Sequence, residues 1–225
     1  MAGNRAAKIL QTLRESFTVP RWVTSDKDPF KTLIITIISQ NTSDRNAERA
    51  FENLSKRFQV TPEALAKAEK AKIEECLKTA GLYRNKARVI KEVSRIILEN
   101  FGGSLKPISA MPFEEARKTL MQLPGVGPKT ADVVLLFSMN HPTIPVDTHV
   151  KRVSKRLGLA PTDGDYEEVR RSLQSLYKPE DYLNVHVLLI LLGRKYCNAR
   201  RPLCQKCPVK AFCPSRKTKT NVSLQ

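Results

Sequence analysis

The stretch Leu123–Asp132 reads LPGVGPKTAD and predicts a tight turn that runs directly into a helix. Gly125 and Gly127 carry no Cβ, so the backbone can turn sharply there and approach a ligand closely. Proline suits the first position of a helix, where its missing N–H costs nothing, so we expect a helix to begin at Pro128. The exposed amides of such a helix start favour an anion such as a DNA phosphate. The stretch therefore predicts the turn of a helical hairpin.

Lys129 stands beside the positive end of this predicted helix. That end disfavours a protonated amine, so we expect the pKa of Lys129 to lie below that of a surface lysine. A deprotonated amine can act as a nucleophile. The motif thus predicts a phosphate site with a nucleophile beside it, although a lysine considered alone is more often a phosphate contact.

The charge of the chain indicates its partner. The 225 residues include 39 Lys and Arg against 22 Asp and Glu, a formal net charge of +17. Such a charge indicates a polyanion, most often nucleic acid, with a solvated basic face as the alternative. The hydrophobic fraction of 41% argues against disorder. Without a secretory core or an apolar run of membrane length, we expect a cytoplasmic or nucleoid protein. We also expect a monomer, and the short chain favours a prokaryotic source.

Four of the five cysteines are crowded near the end of the chain at the spacing C-x6-C-x2-C-x5-C: Cys197, Cys204, Cys207 and Cys213. Disulfides are improbable without an export signal. Zinc sites usually pair two short Cys-x2–4-Cys knuckles, and this run has one. Four thiolates also suit a [4Fe–4S] cluster, and Cys213-Pro214 repeats the Cys-Pro ending of ferredoxin-type runs. The spacing favours iron–sulfur over zinc and leaves both open.

The rest of the chain is helical in pattern. Apolar residues recur at helical spacing over residues 6–17, 30–38, 44–58, 62–71, 73–80, 85–101, 114–122, 128–139, 147–157, 166–177 and 181–192. We expect Thr61 to cap the helix that begins at Pro62. Gly81, Gly158 and Gly193 fall where helix C-caps belong. The pattern predicts an all-α protein with a mobile tail from about Ser215.

Three segments in this order carry a resemblance: LPGVGPKTAD, then VDTH at Val146–His149, then the four-cysteine run. Together they resemble the endonuclease III family, which comprises iron–sulfur members of the helix-hairpin-helix (HhH-GPD) DNA glycosylase superfamily. The resemblance extends from about Pro29 to Pro214 and implies a two-lobed fold. Residues 24–141 would form a helical domain with the hairpin, and residues 1–23 plus 142–225 a discontinuous [4Fe–4S] cluster domain. It also favours the iron–sulfur cluster over zinc.

The resemblance implies a bifunctional DNA glycosylase and AP lyase that excises oxidised pyrimidines such as thymine glycol in base excision repair. Its partner is double-stranded DNA with a damaged base or an abasic site. Lys129 matches the nucleophile, which attacks C1′, expels the base and forms a Schiff base that leads to β-elimination. Asp147 matches the carboxylate that stabilises positive charge on the sugar or assists deprotonation of the lysine. Considered alone, Asp147 would simply cap the helix that it opens.

The family fills the gap left by the flipped nucleotide from two loops. Leu82, in GLYRNK, matches the wedge residue, although alone it would be an ordinary core leucine. The other loop reads SQNTSD over residues 39–44, where the family commonly reads SAQATD. Asn41 therefore stands where glutamine usually inserts, and Gln40 precedes it. Asparagine is one methylene shorter, so insertion depth and opposite-base preference depart from the family pattern.

Further DNA contacts are implied at the hairpin and in the cysteine run. The backbone amides of Gly125, Val126 and Gly127 would bind one phosphate. Arg201 matches a basic position that contacts DNA. His149 follows Asp147 closely, and a helix-packing role suits it at least as well as a catalytic one.

Two other functions are compatible with parts of the sequence. A glycosylase for uracil or thymine opposite guanine shares the fold and the cysteine loop. A non-enzymatic hairpin module for DNA binding would explain the charge and the PGVG turn. It would leave Lys129, Asp147 and the four cysteines without a purpose.

Overall fold

The computed structural model describes residues 2–20 and 28–219, and within these ranges the backbone contains helices and no β-strand. The α-helices there are α1 Ala2–Ser16, α2 Pro29–Ser39, α3 Asp44–Arg57, α4 Pro62–Lys67, α5 Lys70–Leu77, α6 Tyr83–Phe101, α7 Lys106–Ser109, α8 Phe113–Met121, α9 Pro128–Ser138, α10 Thr148–Arg156, α11 Tyr166–Leu176 and α12 Tyr182–Lys195. Short 3-10 helices lie at Lys78–Ala80, Pro179–Asp181, Cys204–Lys206, Lys210–Phe212 and Pro214–Lys219. The all-α prediction is confirmed.

Backbone contacts divide the chain into two compact units. The hairpin unit is Thr24–His141, and the cysteine unit combines Met1–Val23 with Pro142–Gln225. Within the described residues, no helix has the length and apolar character needed to cross a membrane.

The hairpin unit is built around α2, whose sequence PFKTLIITIIS is apolar on most of its surface. Asp28 caps this helix, since its side chain accepts hydrogen bonds from the amides of Phe30 and Lys31. Helix α2 packs against α9, and α6 packs against α4 and α5. Leu33, Ile34, Leu135 and Ile90 are among the fully buried residues of this core. The hairpin therefore rests on a large apolar base.

Three glycines were expected at helix C-caps, and the structure places two of them at helix ends and one inside a helix. Gly81 and Gly158 have φ values of 65° and 64°, the left-handed conformation that favours glycine after a helix. The prediction for Gly193 is wrong, because α12 continues through it to Lys195. A Cβ at Gly193 would lie 3.0 Å from the His149 Cβ, so the glycine allows α12 to approach α10 closely.

Ser215, where the sequence predicts a mobile tail to begin, contacts the end of α10. Ser215 Oγ donates to the Arg156 carbonyl at 2.8 Å, and the backbone of Pro214–Lys219 forms a 3-10 helix. The hydrogen bond links Ser215 to the end of α10, and the mobility of the tail stays a prediction. Residues 220–225 of the predicted tail lie outside the described residues.

Candidate active site

The LPGVGPKTAD stretch forms a tight turn between α8 and α9. Gly125 has φ +74°, and a Cβ there would lie 2.8 Å from Val89 Cγ1 on α6, so both conformation and space require glycine. Helix α9 begins at Pro128 with Gly127 as its N-cap. The Val126 amide donates to the Leu123 carbonyl at 3.1 Å. The turn thus already uses one of the three amides expected to bind phosphate, which leaves Gly125, Gly127 and the helix start for an anion.

A buried ion pair joins the two helices of the hairpin. Arg117 Nε on α8 donates to Asp132 Oδ1 on α9 at 2.8 Å, and Nη2 donates to Oδ2 at 3.3 Å. Asp132 is 0% exposed. Removing one partner of such a pair typically costs about 3–5 kcal/mol, because the other charge stays buried. This pairing could not be predicted from the sequence, since neither the residue types nor their spacing distinguishes Arg117 and Asp132 from surface charges.

Lys129 is the second residue of α9 and is partly buried beside the turn. The neighbouring loop of residues 39–43 is tied to the same turn. Gln40 Nε2 donates to the Gly125 carbonyl at 3.0 Å and to Thr130 Oγ1 at 3.3 Å. Gln40 therefore positions this loop against the hairpin, and Asn41 is the exposed residue that follows it.

Two residues predicted to reach into DNA have left-handed backbones. Asn41 has φ 55°, and Leu82 has φ 46° and ψ 28° at the start of α6. Asparagine visits this region readily, whereas another L-residue pays roughly 1–2 kcal/mol for it. The Leu82 side chain is also 62% exposed. A strained, exposed leucine is not a core residue, so the alternative of an ordinary core leucine is wrong.

Asp147 lies in the cysteine unit as the N-cap of α10. Its Oδ1 accepts a hydrogen bond from the Val150 amide at 2.7 Å. Within the described ranges, its other carboxylate oxygen accepts no hydrogen bond. Asp147 therefore does cap its helix, and one oxygen is left for a ligand.

The four clustered cysteines line one cavity of about 50 Å³ together with apolar residues such as Leu157 and Leu192. Burial raises the pKa of the Cys207 and Cys213 thiols. Arg156 Nη1 lies 3.5 Å from Cys197 Sγ, which places a positive charge next to this thiol group. One water needs about 10–15 Å³, so the cavity has room for a group of several atoms.

The thiols are not gathered as ligands of one ion. Across residues 2–20 and 28–219, no three His, Cys, Asp or Glu side chains are placed to hold a single metal ion. A zinc ion would draw four sulfurs to about 2.3 Å from one centre. Four cysteine side chains around one cavity are a ligand set that both zinc and an iron–sulfur cluster can use.

Helix α10, which begins after Asp147, is hydrogen-bonded to the cysteine loop, the segment of residues 197–213 that carries the four clustered cysteines. Arg152 Nε donates to the Cys197 carbonyl at 3.0 Å, and Arg156 donates to the carbonyls of Asn198 and Ala199. His149 packs against Gly193 and its Nδ1 lies 3.0 Å from Arg152 Nη2, a packing environment. Arg201 is exposed on the loop. Hydrogen bonds from α10 thus hold the backbone of residues 197–199, and the same loop exposes the basic side chain of Arg201.

Similarity to known proteins identifies the protein family to which this chain belongs. Residues 34–179 match the HhH-GPD superfamily of base excision DNA repair proteins. That match covers more than half of the chain, so the chain belongs to this superfamily. Among its relatives are endonuclease III of Thermotoga maritima, 37% identical over 188 residues that cover 84% of each chain, and endonuclease III of Sulfolobus acidocaldarius, 36% identical over 83% of this chain and 82% of that protein.

A solved structure agrees with this assignment. A trapped covalent intermediate of endonuclease III with DNA has a TM-score of 0.84 and 30% identity, and the likeness covers 97% of this chain and 99% of that one. The predicted resemblance is therefore confirmed. The chain is a base excision repair enzyme, a DNA glycosylase and AP lyase.

Proposed function

We propose that this enzyme excises oxidised pyrimidines, such as thymine glycol, from duplex DNA and then cuts the strand. The observation that carries the proposal is the lysine at the start of α9, directly after a turn with exposed amides. A glycosylase without an amine nucleophile would cleave the base and leave the strand intact. Lys129 supplies that amine next to a site for the adjacent phosphate.

Lys129 Nζ attacks C1′ of the lesion nucleotide, and the bond to the base breaks as the base leaves with the bonding pair. The sugar ring opens, and loss of the ring oxygen from C1′ gives a Schiff base with the lysine. The Schiff base acidifies C2′, so a proton is lost there and the 3′ C–O bond breaks by β-elimination. The positive end of α9 disfavours a second positive charge beside it, which supports a neutral amine.

Asp147 stabilises the positive charge that develops on the sugar, through the carboxylate oxygen that is not used by the helix cap. Asparagine also caps helices well, so Asp147→Asn retains the hydrogen bond to the Val150 amide while removing the charge. We expect unfolding stability to change by less than about 0.5 kcal/mol in this variant and base excision to fall by about two orders of magnitude. A matched loss of stability and activity would assign Asp147 to capping alone.

Asn41, and not Gln40, enters the gap opposite the flipped nucleotide. The amide of Gln40 is engaged by the Gly125 carbonyl and by Thr130 Oγ1, whereas Asn41 is exposed on the left-handed corner of the loop. Leu82 wedges beside the orphaned base, where its exposed side chain gains an apolar partner. Flipping costs a few kcal/mol, and these two residues offset part of that cost.

The four cysteines would hold a [4Fe–4S] cluster, whose thiolate bonds would fix the basic loop that carries Arg201. The bound cluster would act as a structural crosslink between these cysteines, and the excision steps described for Lys129 and Asp147 would need no electron from it. Double-stranded DNA with a damaged base or an abasic site is the partner, bound by a monomer. Affinity should fall steeply with salt, because each neutralised phosphate releases counterions.

The test is a panel of duplexes that carry thymine glycol, uracil opposite guanine, thymine opposite guanine, or an abasic site. We expect excision and strand cutting on thymine glycol, and cutting at the abasic site. Base excision only at the mismatches would be compatible with the proposed lyase activity, but it would make uracil or thymine opposite guanine the substrate of this enzyme. Tight binding without any base excision or cutting would leave only a DNA-binding module.

A further inference from the structure

A buried lysine lies between the two loops that carry Asn41 and Leu82. Lys86 on α6 is 4% exposed. Its Nζ donates to the Ile38 carbonyl at 2.7 Å and to the Ala80 carbonyl at 2.9 Å. The first carbonyl precedes Asn41 by three residues, and the second precedes Leu82 by two. One amine thus bonds the chain at the base of each loop.

Within residues 2–20 and 28–219, no acidic side chain forms an ion pair with Lys86. Burial lowers its pKa, and no charged partner contributes to that shift. An uncompensated buried amine is unfavourable unless its hydrogen bonds are satisfied. Here the two carbonyls accept, and even a neutral amine has two N–H donors for them. An apolar residue of similar length would pack but could not join the two loops.

The second loop needs a restraint from outside it. Leu82 adopts a left-handed backbone conformation, which persists in a leucine only where surrounding contacts hold it. Gln40 already ties the first loop to the hairpin turn, and Val89 on α6 packs under Gly125 of the same turn. The second loop opens α6 itself, and the Lys86 amide donates to the Leu82 carbonyl at 3.0 Å. Lys86 completes this set of contacts by linking the first loop to the second.

We propose that Lys86 is a positioning residue for base flipping, whose buried amine fixes the spacing between the loop that carries Asn41 and the loop that carries Leu82. The inference rests on the proposed function, in which these two residues fill the vacated stack together. A duplex with a damaged base must be opened by both residues at once. A preformed abasic site in single-stranded DNA needs no such opening, so its cleavage depends on Lys129 and not on the spacing of the loops.

Helix α6 provides a matched control. Lys91 Nζ also donates to two carbonyls, those of Ala66 at 2.6 Å and Ala68 at 2.5 Å. It joins segments without any residue proposed to contact DNA. Lys86→Met and Lys91→Met each remove a two-carbonyl contact and keep the aliphatic stem. The two variants therefore differ mainly in which segments they release.

The experiment compares these two variants with the wild type under single-turnover conditions. We expect Lys86→Met to excise thymine glycol from duplex DNA at least about tenfold more slowly, a change of about 1.4 kcal/mol in the activation barrier. Cleavage of a single-stranded abasic substrate should stay within about twofold, and Lys91→Met should leave both rates within about twofold. Equal losses on both substrates in Lys86→Met, or an unchanged excision rate, would overturn the proposal.

Amide hydrogen exchange on the free enzyme gives a readout without any substrate. We expect faster exchange in residues 39–43 and 81–83 of Lys86→Met, and around residues 66–68 of Lys91→Met. Unchanged exchange at both loops would contradict the positioning role even if activity fell. A wild type that excises none of the tested bases would refute the proposed function, while the exchange data would still decide on the link. If Lys86→Met does not fold, Lys86→Arg replaces it in the experiment. The guanidinium keeps N–H donors but is longer than the amine, so the spacing of the two loops changes and the same selective loss in duplex excision is expected.

Discussion

Leu82 gives a prediction in which stability and activity change in opposite directions. A left-handed conformation costs a leucine roughly 1–2 kcal/mol, and asparagine adopts it readily. Leu82 is 62% exposed, so replacing it forfeits only the buried third or so of a leucine side chain, about 0.5–1 kcal/mol. Leu82→Asn should therefore be as stable as the wild type or more stable by up to about 1.5 kcal/mol, a rise in Tm of up to roughly 3–6 °C.

Excision should nevertheless fall in Leu82→Asn, because a small polar side chain cannot replace an apolar wedge beside the orphaned base. A wedge that contributes about 1.4 kcal/mol to the flipped state would correspond to a tenfold loss in rate. The assay pairs thermal unfolding with single-turnover excision of thymine glycol. Leu82→Ala is the matched control, since it removes the wedge but keeps the strain and should lose about 0.5–1 kcal/mol. Excision by Leu82→Asn at the wild-type rate, or a parallel loss of stability and excision, would contradict a wedge role for Leu82.

Three further predictions concern other parts of the molecule. Arg117→Met should lower the free energy of unfolding in urea by about 3–5 kcal/mol, because the buried Asp132 carboxylate loses its ion pair with Arg117. A second substitution, Asp132→Leu, should restore part of the loss, and no recovery would contradict a coupled pair. Burial lowers the pKa of Lys86, so between that pKa and about 10.4 the unfolded chain binds more protons than the folded one. The stability of the wild type relative to Lys86→Met should therefore rise with pH in this window, and a fall would contradict the pKa direction. Cys207→Ser should lose iron and visible absorbance together with DNA affinity, whereas zinc in the wild-type protein would contradict the cluster.

The sequence was most informative where local rules act. Thr61 was expected to cap α4, and its Oγ1 accepts from the Ala64 amide at 3.3 Å. Pro128 was expected to open α9, and it does. Such caps depend on neighbours in the chain, so residue type and spacing are sufficient to predict them.

Contacts between distant segments were not predictable in this way. A lysine in a helix is usually exposed, and only the fold brings Lys86 within hydrogen-bond distance of the Ile38 and Ala80 carbonyls. Gly193 was expected to end a helix, but α10 packs against it, and the absence of a side chain there leaves room for His149. The choice between Gln40 and Asn41 likewise depends on the Gly125 carbonyl, which is 85 residues away from Gln40 in the chain. Each of these features follows from tertiary packing, which has no short-range sequence signal.

The proposed mechanism requires that Lys129 form a covalent Schiff base with the sugar of the lesion. Borohydride reduction during the reaction on a thymine glycol duplex detects this intermediate, because it converts the Schiff base into a stable protein–DNA adduct. We predict an adduct with the wild type and none with Lys129→Ala, whose retained DNA affinity serves as the control. An adduct that persists in Lys129→Ala would assign the nucleophile to another amine. No adduct from the wild type on any damaged or abasic duplex would contradict the mechanism.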